Sequence, residues 1–148
     1  MTEEKRELVR SWLTKALHDL RSAKVLANDE DPLLDTATYH CQQAGEKAVK
    51  GFLTFHAIPF EKTHNLRVLV LLAERREKRF GEWRDIAQAL TPYVHIFRYP
   101  GEIMEPGREE FQTAFDAAQR FCSFVLSKLP REVHPPESAR SAGNDESG

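Results

Sequence analysis

At 148 residues the chain has the length of one domain, and a chain of that size buries roughly two thirds of its unfolded surface without disulfides or a metal to staple it. Hydrophobic residues make up 41% and charged residues 30%, which is too apolar for general disorder. The net charge of -2 is carried wholly by the segment after Pro130, so the body is neutral, an overall basic footprint for duplex DNA is excluded, and any nucleotide or nucleic-acid site must be a local cluster.

From Glu3 to about Ala27, Val9, Trp12, Leu13, Ala16, Leu20 and Ala23 recur three and four apart, which predicts one long amphipathic helix. Asn28 to Asp31 breaks it, with Asp31 as the expected N-cap and Pro32 as the first residue of a second helix that runs to about Ala57. Its predicted buried stripe is Leu34, Ala37, Cys41, Ala44, Ala48, Phe52 and Phe55, rich in small residues that let a neighbour come close. Ile58-Pro59 ends it, and Thr63 is the expected cap of a third helix from about His64 to Arg79. The run from Val68 to Leu72 resembles a strand, but no second strand exists to pair with it, and a lone strand leaves its backbone unsatisfied.

A shorter piece spans 82 to 98 and is interrupted at Thr91-Pro92. Tyr99-Pro100-Gly101 opens a loop to Gly107, and the last helix, about Arg108 to Leu129, presents Phe111, Ala114, Phe115, Ala118, Phe121, Cys122 and Val125 on one face. The expected fold is therefore all-α, an up-and-down antiparallel bundle of four main helices and one shorter one in a single domain, 1–130, with 131–148 as a disordered tail. Cys41 and Cys122 fall in apolar stripes and are expected to be reduced core residues. No N-terminal signal peptide is recognisable, and the longest apolar run is far short of the ~20 residues a bilayer demands. The expectation is a cytoplasmic protein without a membrane anchor.

The more specific signal begins at His40-Cys41-Gln42-Gln43-Ala44-Gly45-Glu46-Lys47-Ala48-Val49-Lys50 and continues at His64-Asn65-Leu66. Ala16-Leu17-His18-Asp19-Leu20-Arg21-Ser22-Ala23 precedes it and Arg98-Tyr99-Pro100 follows. Together, in this order, these segments resemble the HEPN family over roughly residues 8 to 129, with Asp19, Gln43 and Glu46 on its motif positions and Asn65 where the family more often has Asp. The resemblance implies a helical bundle, frequent homodimerisation, and frequent pairing with a minimal nucleotidyltransferase. Some relatives are RNA-cleaving toxins of toxin-antitoxin pairs, built on an Arg followed four to six residues later by His. No arginine of this chain has that spacing, so the phosphate-holding cation and the proton-transferring imidazole of that chemistry are not paired in sequence.

Gln43, Glu46, Lys47 and Lys50 share one face of the second helix, and the simplest account is a solvated face with a Glu46–Lys50 pair at i, i+4, worth about 0.3–0.5 kcal/mol. The functional account gathers Lys47 and Lys50 with the helix start at Thr63 and His64 and with Arg98 and Tyr99 into a site for a phosphate, a nucleotide or RNA, because helix N-termini and cations both attract anions. It supposes a short link of about six residues between the second and third helices and hence an antiparallel pair. No Cys-x-x-Cys, His-Glu-x-x-His or Gly-rich phosphate loop is present, so neither metal nor cofactor is expected, and no catalytic residue is assigned. Three readings follow: a non-catalytic module that associates with a nucleotidyltransferase and takes a phosphate-bearing ligand, a ribonuclease in which Arg98 meets His64 or His95 in space, and a dimeric scaffold without ligand.

Overall fold

The computed structural model describes residues 1–101 and 105–139. It is all-α: α1 (Glu3–Ala27), α2 (Leu34–Phe55), α3 (Leu66–Glu74), the short α4 (Arg84–Leu90) and α5 (Arg108–Ser127), with 3-10 turns at Lys78–Trp83, Thr91–Val94 and Arg131–Val133. No strand occurs among the described residues, and the run at Val68 is helical.

Local chemistry explains the boundaries. Thr2 starts α1 by accepting the Lys5 N–H on its hydroxyl at 3.1 Å, and Glu3 and Glu4 place carboxylates on the positive end of the helix. Two expected caps move. Asp31 does not cap α2; its own N–H is taken by the Asp29 carboxylate at 3.1 Å, and the helix starts at Leu34 with no side-chain cap bond. Nor does Thr63 cap α3: its hydroxyl accepts the Asn65 N–H at 3.0 Å, and Asn65 is the cap, accepting from the Val68 N–H at 3.1 Å. The third helix also stops at Glu74 instead of Arg79. Beyond Ala73 the next positions at helical spacing are Arg76 and Glu77, whose charged ends are costly to bury, and the Glu77 side chain instead caps the 3-10 turn by accepting the Arg79 N–H.

Helix α2 is the axis of the molecule. Leu13 and Trp12 of α1 face Gly51, and Asp19 of α1 reaches Lys47 and His40, so these two helices run antiparallel. Antiparallel, too, are α1 and α5, since Arg108 donates to the Ala27 carbonyl at 2.9 Å at one end while Arg10 donates to the Glu132 carbonyl at 2.6 Å at the other. Helix α3 breaks the expectation. Leu66 packs on Gly45, and Arg76 donates to His56 at 3.2 Å, so α3 travels in the same direction as α2. The link from His56 to Asn65 runs back along α2 to allow this, bringing Phe60 beside Lys50 and His64 beside Glu46.

A Cβ at Gly45 would stand 3.0 Å from Leu66 Cδ2, so the absence of a side chain there sets how closely α3 approaches. The core around α2 holds Val9, Leu13, Phe52, Leu66, Leu69 and Phe121. Phe80 joins the 3-10 turn to it, 4.6 Å from the Phe52 ring and 4.9 Å from Phe124. Cys41 and Cys122 are free and buried, each with its thiol directed at a helix carbonyl, of Ala37 and Ala44 respectively. Burial pushes the Cys41 thiol up to about 12, and raises Cys122 as well. Since the thiolate is the reactive form, neither should react with a thiol reagent in the native protein at neutral pH, whereas both should react in denaturant; one equivalent of label taken up quickly under native conditions would contradict this.

The packed body extends past Pro130. Val133 and Pro135, expected to lie in a disordered tail, are buried, and His134 Nε2 donates to the Leu126 and Leu129 carbonyls at 2.9 and 3.0 Å. Carbonyls at a helix C-terminus have no partner within the helix, and the imidazole supplies one. The rest of the expected tail, 140–148, lies outside the described residues.

Candidate functional site

The residues that share one face of α2 are not a solvated face. Residues 41–46 and 48–53 are all buried, Gln42, Gln43, Glu46 and Lys50 among them. A polar group taken out of water must find partners within the protein, and these do, in two linked clusters.

The first centres on Glu46, whose side chain is 3% exposed. Its Oε2 accepts from Lys50 Nζ at 2.8 Å, and its Oε1 accepts from the Gln42 and Gln43 amides at 3.2 and 3.1 Å. His64 Nδ1 lies 3.1 Å from both carboxylate oxygens. Gln42 also donates to the His64 carbonyl at 2.9 Å, so one side chain ties the returning link to α2. Lys50 is boxed by apolar rings as well, 5.6 Å from Trp12 and 5.8 Å from Phe60.

The second cluster centres on Asp19 of α1, which is buried where the helix faces α2. It accepts from Lys47 Nζ at 2.6 Å on one oxygen and meets His40 Nδ1 at 2.7 Å on the other. His40 and Lys47 are seven residues apart, two turns on one side of α2, so a single carboxylate between them pins α1 to α2 at two levels.

These contacts place each predicted site residue. Lys47 and Lys50 are each held by a carboxylate, Asp19 and Glu46, and His64 joins Lys50 on Glu46. Thr63 spends its hydroxyl on the turn before α3. The start of α3 is also occupied: the Val68 N–H goes to Asn65 and the Arg67 N–H to Thr91 Oγ1 at 3.3 Å. Arg98 and Tyr99 stand elsewhere along the helix. The Arg98 guanidinium lies 4.0 Å from the centre of the Tyr39 ring and 5.8 Å from that of Tyr99, and donates to the Val94 carbonyl at 3.0 Å. Tyr39 is two turns before Glu46, about 10 Å along the helix. The arginine is thus stacked on α2 at one end of the spine while His64 is bonded at the other.

Sequence reasoning missed Tyr39, and it placed His40 and Gln42 in the motif segment without giving either a role. The spacing of Tyr39, Gln43, Glu46, Lys47 and Lys50 marks one face, but only the packing of α1, the returning link and α3 around α2 reveals that this face is covered. Among the described residues no group of three or more His, Cys, Asp or Glu side chains is placed to hold a metal ion, and no helix is long and apolar enough to cross a membrane.

Comparison with known proteins bears on the same segments. No curated protein matches the chain. Among solved structures, an archaeal HEPN homologue superposes with a TM-score of 0.65 at 23% identity, covering 82% of this chain and 98% of that one, a likeness of fold. The family model described as HEPN domain matches residues 9–129, a span that includes the Asp19 contact, the whole polar spine of α2, the His64 link and Arg98. The chain belongs to the HEPN family.

Proposed function

We propose that this chain is a non-catalytic HEPN module of the cytoplasm that associates with a nucleotidyltransferase partner and takes a nucleotide or another phosphate-bearing ligand. The observation that carries the non-catalytic part is the engagement of the motif side chains. Glu46, Lys50 and Gln43 are buried and bonded to one another, Lys47 is bonded to Asp19, and Arg98 is stacked on Tyr39. A general acid or base must reach the proton it moves, which the sealed Glu46 and Lys50 cannot do, and the exposed His64 stands apart from Arg98, which is stacked on Tyr39. The chain also carries no arginine at the ribonuclease spacing from a histidine. A phosphate-bearing ligand is supported by the groups that stay open to solvent, Lys47 and His64 with Thr63 toward one end of α2 and Arg98 with Tyr99 toward the other, whereas Lys50 is sealed under Trp12 and Phe60.

Association is supported by an apolar groove of about 550 Å³ between the returning link and α3, lined in part by Phe60, Val68, Leu69 and Leu72. Val68 and Leu71 are exposed on the same helix, and contiguous apolar surface of this kind marks an interaction site more often than chance. The module is proposed to form a two-fold homodimer as well, which light scattering at micromolar concentration tests: a purely monomeric species overturns it. Affinity purification of the tagged chain from its native host, followed by mass spectrometry, tests the partner. The expected result is enrichment of a small nucleotidyltransferase, lost on Val68→Asp; recovery of none, together with RNA cleavage abolished by Arg98→Ala, would replace this reading with the ribonuclease one.

A further inference from the structure

On α3 and the turn that follows it, the carboxylates are answered by cations: Glu74 by the Arg84 guanidinium and Glu77 by the Lys128 ammonium at 3.5 Å. Three arginines of the same stretch have no such counter-charge. Arg67 and Arg75 are exposed, and their guanidinium groups make no hydrogen bond or ion pair among the described residues. Arg76 donates to the His56 imidazole at 3.2 Å, and burial with the neighbouring cations holds that imidazole below its usual pKa, in the neutral form that can accept. The outer face of α3 therefore carries positive charge that no described residue offsets.

That face is also apolar. Leu71 is 36% exposed and Val68 43%. Helical spacing puts Arg67 one turn before Leu71 and Arg75 one turn after it, a ridge about 12 Å long with a cation at each end. Val68 and Leu72 form the next ridge and line the groove, with Pro59 and Phe60 on its link side. Glu61 and Lys62 follow Phe60 side by side and opposite in charge, so the link adds no net charge of its own. Both walls are set before anything enters. The link is tied to α2 through the Gln42 amide on the His64 carbonyl at 2.9 Å, Phe60 lies 5.8 Å from Lys50 Nζ, and Leu66 seats α3 on Gly45. A preformed apolar channel takes a row of inserted side chains at little ordering cost, which the flat surface of a lipid bilayer does not present. Cations one turn to either side of its rim favour carboxylates beside that row.

We infer that the groove between the returning link and α3 seats an acidic amphipathic helix of a protein partner, its apolar row on Phe60, Val68, Leu71 and Leu72 and its carboxylates against Arg67 and Arg75. The inference rests on the partner part of the proposed function and adds the chemistry of the docking segment.

The probes are phage-displayed helical peptides, selected on the full chain, and the enriched peptide resynthesised for fluorescence titration. The expected enrichment is a helix with apolar residues at i, i+4 and i+7 and glutamate or aspartate beside them, its affinity falling as salt rises. Val68→Asp is expected to lower that affinity about tenfold or more, and so is Arg67→Glu with Arg75→Glu. The charge-reversed chain should then prefer the same peptide with its acidic residues changed to lysine, a gain that unfolding could not produce. All three positions are exposed, so the variants are expected to keep the circular dichroism of the parent. Enrichment of no sequence, or of basic or uncharged ones, would overturn the inference, as would binding indifferent to the charge reversal. Equally fatal would be binding of the chain to phosphatidylserine vesicles through Val68 and Arg75 with no peptide bound. A charge-reversed chain that still recovers a nucleotidyltransferase, lost only on Val68→Asp, would overturn the acidic helix and leave the partner reading standing. An acidic helix bound as described while purification recovers no nucleotidyltransferase would uphold the groove and overturn that partner.

Discussion

Replacing Glu46 with alanine is expected to cost about 3–5 kcal/mol of folding stability, the usual penalty for leaving one member of a buried ion pair uncompensated. Three kinds of bond are lost together. The Lys50 ammonium, 8% exposed and bordered by the Trp12 and Phe60 rings, loses its 2.8 Å partner and has little access to water. The amides of Gln42 and Gln43 lose their shared acceptor, and the returning link loses the contact through His64. Against a typical total stability of about 5–15 kcal/mol, the variant should unfold at a much lower urea concentration, or not accumulate as folded protein at all. Lys47→Ala removes one partner from Asp19, but His40 stays bonded to its other oxygen at 2.7 Å, so the carboxylate is not left alone and the cost should be smaller. The paired change Glu46→Leu with Lys50→Met removes both charges and should restore the part of the loss due to the unpaired ammonium, because a buried pair and an apolar pair of similar volume are close in energy, while the part due to the Gln42 and Gln43 amides and the His64 contact should persist. A Glu46→Ala midpoint within experimental error of the parent would mean that this face of α2 is solvated after all.

That expectation inverts the simplest account of the sequence, and the reason shows what periodicity can carry. The small-residue stripe Ala37, Cys41, Ala44 and Ala48 identified one buried face of α2, and the structure buries all four. Periodicity also located α1 and α5 closely, because each keeps one polar face in water. It could not show that α2 is covered on its polar side too. A glutamate and a lysine at i, i+4 look the same on an exposed helix and in a sealed spine, and the difference is made by residues far away in sequence: Asp19, Trp12, Phe60 and His64. The direction of α3 was hidden for a related reason. A link of about six residues demands an antiparallel neighbour, but with α2 ending at Phe55 and α3 starting at Leu66 the link is long enough to run back along α2, and it is anchored there by Gln42 and Glu46. The motif residues were thus legible as a set, in order, while their role as a buried scaffold required the fold. Arg98 illustrates the converse. Its motif position was visible, yet its stacking on Tyr39 was not, because nothing in the spacing of either segment encodes the crossing of the two.

Cutting the chain after Pro130 is expected to lower stability by about 2 kcal/mol relative to a chain ending at residue 139, or about 6 °C in melting temperature for a protein of this size. Composition alone argues for no effect, since the stretch has no periodic apolar residue beyond Val133. Burial argues otherwise. Val133 is fully inaccessible to water, and withdrawing a side chain of that size from solvent is worth about 1.5–3 kcal/mol. Arg10 of α1 donates to the Glu132 carbonyl, and His134 satisfies the Leu126 and Leu129 carbonyls at the end of α5, each bond contributing about 0.5–1.5 kcal/mol net. Fixing the backbone of the segment costs entropy in the opposite direction, about 1–2 kcal/mol per ordered residue before any contact is made, which is why the net loss is far smaller than the sum of contacts. Two point variants separate the contributions. Val133→Asp should reproduce most of the loss by placing a charge among apolar neighbours, whereas His134→Ala should cost only the helix-end bonds. If the chain cut after Pro130 melts with the longer one, and Val133→Asp does too, the segment from Arg131 onward adds nothing to the bundle, and α5 ends without help from the residues that follow it.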